Sequence, residues 1–229
     1  MTEAEWLALH ALGNVCPLSW LRSTPNERRI FLFLDAYLPV FMFDTFCPAC
    51  KQLLPLFTQQ AEYGLTADEW RDARNSEHHE GNCATKTVFG CAQNYVRGII
   101  APGEFWNCLW GLRDEMIWRA KQSSREGHRD WLKRYRAERD HVDREGLRLL
   151  KDISGNPFQP ATLLPSWRTD TALALARQMY ESRDFSTMPV LADALQDAGC
   201  DNAEVLGHCR DPQGLHVRGY WVVDAVLGR

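Results

Sequence analysis

Helix-start signals recur along this chain, whereas the alternating apolar pattern of strands is scarce. Thr2 with Glu5, and Thr66 with Glu69, have the spacing of a capping box, in which hydroxyl and carboxylate satisfy amide groups of the first helical turn. Segment 24–27 (TPNE) places a proline at the first helical position, where its missing N–H is harmless. These signals predict an all-α protein, an irregular multi-helix bundle.

Prolines and glycines set the expected helix ends in the first half of the chain. The helix that segment 24–27 opens is expected to stop at Pro39, because proline removes an amide donor from a helix interior. A later helix is expected to end at Gly64, a residue type that favours helix C-termini. The expected helices are therefore 24–38, 48–63 and 66–78.

Charge and turn residues divide the chain further along. Segment 119–151 holds eleven Lys or Arg and six Asp or Glu with interleaved signs, which predicts a long, charged, solvated helix. Segment 155–160 (GNPFQP) cannot be helical and marks a boundary. We therefore expect an N-terminal helical region over 1–151 and a compact C-terminal helical bundle over 155–229. The helices expected in that bundle are 170–182, 189–198, 201–210, with Asp201 as the cap, and 216–227.

Composition excludes several classes of protein and partner. With 229 residues, 45% of them hydrophobic, the chain is too apolar for a disordered protein. The net charge of −4 gives no general attraction to nucleic acid, so a nucleic-acid partner is not expected. The apolar segment 30–43 would span about 21 Å as a helix, short of a bilayer core of about 30 Å, so no membrane span is expected. No basic signal region opens the chain, and we expect a cytoplasmic protein with reduced cysteines.

The sharpest local motif is Cys47-Pro48-Ala49-Cys50, which resembles the active-site segment of thioredoxin-like oxidoreductases. In that chemistry a helix N-terminus lowers the pKa of the first thiol, and the second thiol resolves the mixed disulfide. The pair could instead supply two zinc ligands, or simply begin a helix with two incidental thiols. Under the zinc hypothesis the remaining ligands come from residues further along the chain. Those candidates are His78, His79, Cys83 and Cys91.

A second group of candidate metal ligands lies near the C-terminus, and it comprises Cys200, Cys209 and His216. Zinc is one interpretation of this group, and buried structural cysteines are the other. The adjacent segment supplies candidate interaction residues as well. His216, Arg218, Tyr220 and Trp221 surround a permissive glycine, and Arg, Tyr and Trp are the residue types favoured at protein interfaces.

The C-terminal motifs also carry a family resemblance. Segments 155–160 (GNPFQP), 189–195 (PVLADAL), 197–200 (DAGC) and 216–224 (HVRGYWVVD) resemble those of a large paralogous family of planctomycete-type bacterial proteins, as does the opening MTEAEWL. That family is uncharacterised, so the resemblance implies helical organisation and no reaction.

Together these features predict a non-catalytic helical interaction or scaffold protein with an unidentified protein partner and no cofactor. The alternative is a zinc-binding or thiol–disulfide active protein built on Cys47 and Cys50.

Overall fold

The computed structural model describes residues 2–9, 27–41, 48–76, 84–99, 104, 107–108, 111, 114, 127–160, 162–212 and 214–229. Within these ranges every regular element is a helix, which confirms the all-α prediction. No helix in the described ranges is long and apolar enough to cross a membrane. The helices are α1 (Glu3–Leu7), α2 (Glu27–Phe41), α3 (Pro48–Leu53), α4 (Pro55–Tyr63), α5 (Ala67–Ser76), α6 (Ala84–Val96), α7 (His128–Ser154), α8 (Asp170–Ser182), α9 (Met188–Asp197), α10 (Ala203–Cys209) and α11 (Trp221–Leu227).

The chain forms two compact units, Met1–Leu147 and Arg148–Arg229, and the division falls inside α7. The turn-rich segment 155–160, where the sequence placed the boundary, lies seven residues further on, directly after the helix. A helix can run through a domain boundary because its hydrogen bonds are local and do not depend on which unit its side chains contact.

The N-terminal unit is built around the buried helix α2, which packs on α4. Residues 30–34 of α2 are buried on every side, as expected for a helix at the centre of a core. Phe31 lies 6.2 Å from Phe57 and 6.0 Å from Trp70 between ring centroids, and Phe57 stacks on Phe89 at 5.2 Å. Large aromatic side chains from four helices therefore form the centre of this unit.

One buried amide, Gln60, ties three parts of this unit together. Its Oε1 accepts hydrogen bonds from Trp70 Nε1 at 2.8 Å and from the Leu65 amide at 2.9 Å. Its Nε2 donates to Glu27 Oε1 at 3.0 Å. A buried amide must have its donors and acceptors satisfied, so these bonds fix the relative positions of α2, α4 and α5.

The predicted stop of α2 at Pro39 is wrong, because the helix continues through this proline to Phe41. Pro39 removes one backbone hydrogen bond at a cost of about 3 kcal/mol in a helix interior. The side chains from Ile30 to Leu34 are all buried, and their packing outweighs that loss.

The single helix predicted over 48–63 is also wrong, because the structure has α3 and α4 with a break at Leu54. Pro55 cannot donate to the carbonyl of Lys51, and it occupies the first position of the new helix instead. Gly64 ends α4 with a φ of 70°, as its residue type predicts.

The C-terminal unit has one apolar core to which α8, α9, α10 and α11 all contribute. The start of α8 agrees with the prediction, since Thr169 Oγ1 accepts from the Ala172 amide at 3.3 Å. The core side chains without any solvent exposure are Ala172, Ala176, Met179, Met188, Leu191, Ala192, Leu195, Val205, Tyr220, Val222, Val223 and Val226.

Two predicted helix starts in this unit are wrong. The cap of α10 is Asn202 rather than Asp201, since Asn202 Oδ1 accepts from the Glu204 and Val205 amides at 3.0 and 3.1 Å. The last helix begins at Trp221 rather than at His216. His216 has a φ of 32° and Gly219 a φ of 87°, so the chain from 216 to 220 cannot be a right-handed helix.

Gly155, which follows α7 with a φ of 62°, should tolerate no side chain. An alanine Cβ there would lie 3.1 Å from the ring of Trp221 in a conformation that L-residues rarely adopt. We expect Gly155→Ala to lower the free energy of unfolding by at least about 1–2 kcal/mol. The matched control is Gly207→Ala inside α10, where no atom lies within 4 Å of the new Cβ. That variant should raise the same free energy by about 0.5–1 kcal/mol. Urea unfolding measures the free energy of unfolding of both variants. If it changed in the same direction in both, Gly155 would not be the conformationally restricted position described here.

Candidate functional site

The N-terminal thiol motif lies mostly outside the described residues. Cys47, His78, His79 and Cys83 fall in undescribed ranges, and Cys50 is described only by its backbone within α3. Helix α3 begins at Pro48, directly after Cys47, as the motif predicts. The zinc and redox hypotheses for this motif stay predictions.

The structure gives Cys91 a neighbour that the sequence did not suggest, the free thiol of Cys108. Burial raises the pKa of Cys91 to about 12, and the hydrogen bond and charge of Cys108 add to that effect. A nucleophile or metal ligand must be a thiolate, so this environment disfavours both roles. Cys108 belongs to no spacing motif with Cys91, and only the tertiary fold brings the two together.

Cys200 and Cys209 are free thiols buried in the core of the C-terminal unit. Burial, together with the neighbouring Cys200, raises the pKa of Cys209 to about 12. Among the residues that the structure describes, no three His, Cys, Asp or Glu side chains are grouped so that they could hold a metal ion. The structure therefore does not bring Cys200, Cys209 and His216 together as a ligand set.

The four candidate interaction residues lie largely inside the unit. Tyr220 has no exposed surface and Trp221 belongs to the apolar core. Arg218 donates from Nε and Nη2 to the carbonyl of Tyr180, at 3.1 and 2.8 Å, and His216 is half-buried. These contacts are made within the chain, and the prediction that this segment meets a partner stays a prediction.

Four polar side chains do converge at one place in the C-terminal unit, and we refer to Asp152, His208, His216 and Tyr220 as the polar cluster. Asp152 Oδ1 lies 3.5 Å from His208 Nε2, and Oδ2 accepts from the Leu215 amide at 3.2 Å. The ring of Tyr220 stacks on His208 with centroids 5.0 Å apart and meets the ring of His216 edge-on at 4.9 Å. The cluster thus joins the end of α7, α10 and the segment before α11.

The electrostatics of the polar cluster favour neutral side chains. Burial raises the pKa of Asp152 to about 6, although the amide of Leu215 and the charge of Arg148 act in the opposite direction. Burial lowers the pKa of His208, and the neighbouring His216 lowers it further. The contact between Asp152 and His208 is an ion pair only when His208 is protonated, so the lowered pKa makes it a contact with a neutral imidazole.

Three buried atoms of the polar cluster make no hydrogen bond within the described part of the protein: His208 Nε2, His216 Nδ1 and the hydroxyl of Tyr220. The other ring nitrogen of His216 lies 3.2 Å from the carbonyl of Asp211. Sequence reasoning named both His216 and Tyr220 but missed Asp152. The only signal for Asp152 was a carboxylate between the apolar residues Leu150 and Ile153.

The C-terminal unit also carries a surface depression between α8 and α9, which we refer to as the acid-rimmed groove. Its volume is about 410 Å³. Val190 is 52% exposed in its wall, and the carboxylates of Asp193 and Asp197 lie one helical turn apart on α9. The residues that line it are Thr169, Thr171, Leu175, Val190, Asp193, Ala194, Asp197 and Ala198.

Comparison of the chain with protein-family models, with curated proteins and with solved structures finds no significant match. The resemblance to planctomycete-type bacterial proteins stays a prediction.

Asp152 should make the stability of the C-terminal unit depend on pH. Because its folded-state pKa is raised from 3.8 to about 6, its contribution to the free energy of unfolding is present below pH 3.8. That contribution is lost as the pH rises through about 6. Asp152→Asn keeps an acceptor for the Leu215 amide and removes the ionisation. Relative to wild type, its free energy of unfolding should therefore rise by up to about 3 kcal/mol between about pH 4 and pH 7.

Denaturant unfolding across this pH range measures that difference. Both proteins retain His208 and His216, so the difference between them reports on Asp152. The exposed Asp197→Asn, which removes one carboxylate from the same unit, serves as the control for the general effect of losing a negative charge. A constant difference for Asp152→Asn would show that its carboxyl ionises as freely in the folded state as in the unfolded chain.

Proposed function

We propose that this protein is a non-catalytic helical interaction module whose C-terminal unit docks a segment of a partner protein in the acid-rimmed groove. The observation that carries the proposal is Val190, which is 52% exposed in the wall of the groove. An aliphatic side chain left in contact with water beside a depression is a feature of binding surfaces.

The groove has the composition of a site for one apolar anchor. Leu175, Ala194 and Ala198 are half-buried and, with Val190, supply its apolar lining. Its volume of about 410 Å³ lies within the range of small binding pockets, about 300–1,000 Å³. Burial of a single aliphatic side chain there would contribute about 1.5–3 kcal/mol.

The carboxylates at the rim of the groove favour a positively charged partner segment. Asp193 is already engaged by Arg210, whose Nη2 lies 2.6 Å from Asp193 Oδ1. Asp197, one turn further along α9, has no ion pair with any other described residue. A lysine or arginine next to the apolar anchor would complement Asp197, and charge complementarity of this kind sets specificity and association rate. The partner segment is therefore aliphatic with a flanking basic residue.

A displayed library of random peptides, panned against the purified chain, tests this function. Enriched peptides should carry an aliphatic residue beside Lys or Arg. Their affinity should fall at least tenfold in Val190→Asp, because the substitution places a carboxylate where the anchor binds. Leu164→Asp is the matched control, since Leu164 is 48% exposed and lies outside the groove.

The contribution of the Asp197 carboxylate to binding is tested separately. Asp197→Asn should weaken binding of the same peptides several-fold and reduce the salt dependence of the dissociation constant. A library that yields no enriched peptide, or peptides that bind wild type and Val190→Asp equally, would refute docking in the groove.

A further inference from the structure

The N-terminal unit brings two free thiols together, Cys91 and Cys108, which we refer to as the thiol pair. Cys91 lies on α6, and Cys108 follows further along the chain. A hydrogen bond joins their side chains, so the two sulfur atoms are close neighbours. Both residues are half-buried, which leaves the thiol pair within reach of a small solute. The thiol pair is separate from the acid-rimmed groove, which lies in the C-terminal unit.

The hydrogen bond gives the two sulfur atoms different roles. It raises the pKa of Cys91, and a hydrogen bond has this effect on a thiol when the thiol itself donates the proton. Cys91 is therefore the donor, and the sulfur of Cys108 is the acceptor. A thiol that keeps its proton is a poor nucleophile, so the first attack on an oxidant is made by Cys108.

Oxidation of Cys108 would change the surroundings of Cys91. Burial is the main reason why the pKa of Cys91 is raised, and the hydrogen bond and the charge of Cys108 raise it further. Once Cys108 has become a sulfenic acid, no thiolate faces Cys91, and the charge and the charged acceptor are both lost. The thiolate of Cys91 then forms more readily, at the stage when a neighbouring sulfur can be attacked.

We propose that Cys91 and Cys108 form a reversible disulfide when the protein is exposed to hydrogen peroxide. The Cys108 thiolate attacks one peroxide oxygen and the O–O bond breaks, which leaves a sulfenic acid at Cys108. The hydroxide released takes up the proton that Cys108 gave up and becomes water. The Cys91 thiolate then attacks the sulfur of Cys108, an S–S bond forms and the S–O bond breaks. The second hydroxide takes up the proton from Cys91, so the two thiols lose two electrons and one peroxide becomes two waters.

Two thiols of the C-terminal unit provide a control within the same chain. Cys200 and Cys209 are also neighbours, since Cys200 raises the pKa of Cys209. They are only 3% and 1% exposed, however, because they belong to the apolar core. Peroxide would have to enter that core to reach either sulfur, so these two cysteines should stay reduced. Access to the sulfur atoms therefore distinguishes this pair from the thiol pair.

Peptide mapping by mass spectrometry, after the reduced full chain is treated with hydrogen peroxide, tests the proposal. The remaining thiols are alkylated in denaturant before digestion. We expect two peptides linked through Cys91 and Cys108, which dithiothreitol separates again. Cys200 and Cys209 should be recovered in alkylated form. This map requires no substitution, so it tests the disulfide even if a variant of the thiol pair fails to fold.

Single variants test the two roles. In Cys91→Ser no neighbouring thiol can attack the sulfenic acid, so dimedone should label Cys108 at least about tenfold more than in wild type, where the attack is intramolecular and fast. In Cys108→Ser the Cys91 thiol should stay reduced, because burial keeps its proton in place. The linkage should form unchanged in Cys47→Ser/Cys50→Ser, which removes the N-terminal thiol motif.

Three results would overturn the proposal. The first is recovery of Cys91 and Cys108 as alkylated thiols or as sulfinic acids after peroxide treatment. The second is linkage of either residue to a different cysteine. The third is equal dimedone labelling of Cys108 in wild type and in Cys91→Ser, because it would show that Cys91 does not attack the sulfenic acid.

Discussion

The close approach of α8 to its neighbours is the constraint on which the C-terminal unit depends. Two of the fully buried positions on α8 are alanines, Ala172 and Ala176, and these small side chains allow α9 and α11 to pack against the same helix. Interiors are close-packed, so a larger side chain at either position would push those helices apart. The side of α8 that carries Leu175 borders the acid-rimmed groove.

Buried polar groups, rather than apolar packing alone, set the geometry of the irregular segments. In the N-terminal unit the side chain of Gln60 makes hydrogen bonds with Trp70, Leu65 and Glu27. In the C-terminal unit the carboxyl of Asp152 accepts from the Leu215 amide and so ties the segment before α11 to the end of α7. A helix supplies its own backbone partners, whereas an irregular segment must find them on side chains, which explains why these two residues are buried despite their polarity.

The sequence predicted individual helices well where a single cap or breaker acted locally. Thr66 with Glu69 starts α5, Thr169 starts α8 and Gly64 ends α4. One error occurred where a local signal competed with tertiary packing. Pro39 should end a helix, but the burial of residues 30–34 prevailed. The candidate sites were harder to predict, since the polar cluster combines residues that are distant in sequence and the groove depends on how α8 packs on α9.

The sequence by itself determined that this protein is built from helices, because caps, breakers and apolar periodicity are local properties of the chain. Only the tertiary structure decided which chemical groups meet. It buried Tyr220, whose residue type alone suggested an interface, and it left Val190 exposed beside two carboxylates. It also placed Arg177 near Arg168 and Arg229. The reason is physical: a helix fixes side-chain directions within a few turns, whereas the contacts between helices depend on packing of the whole unit.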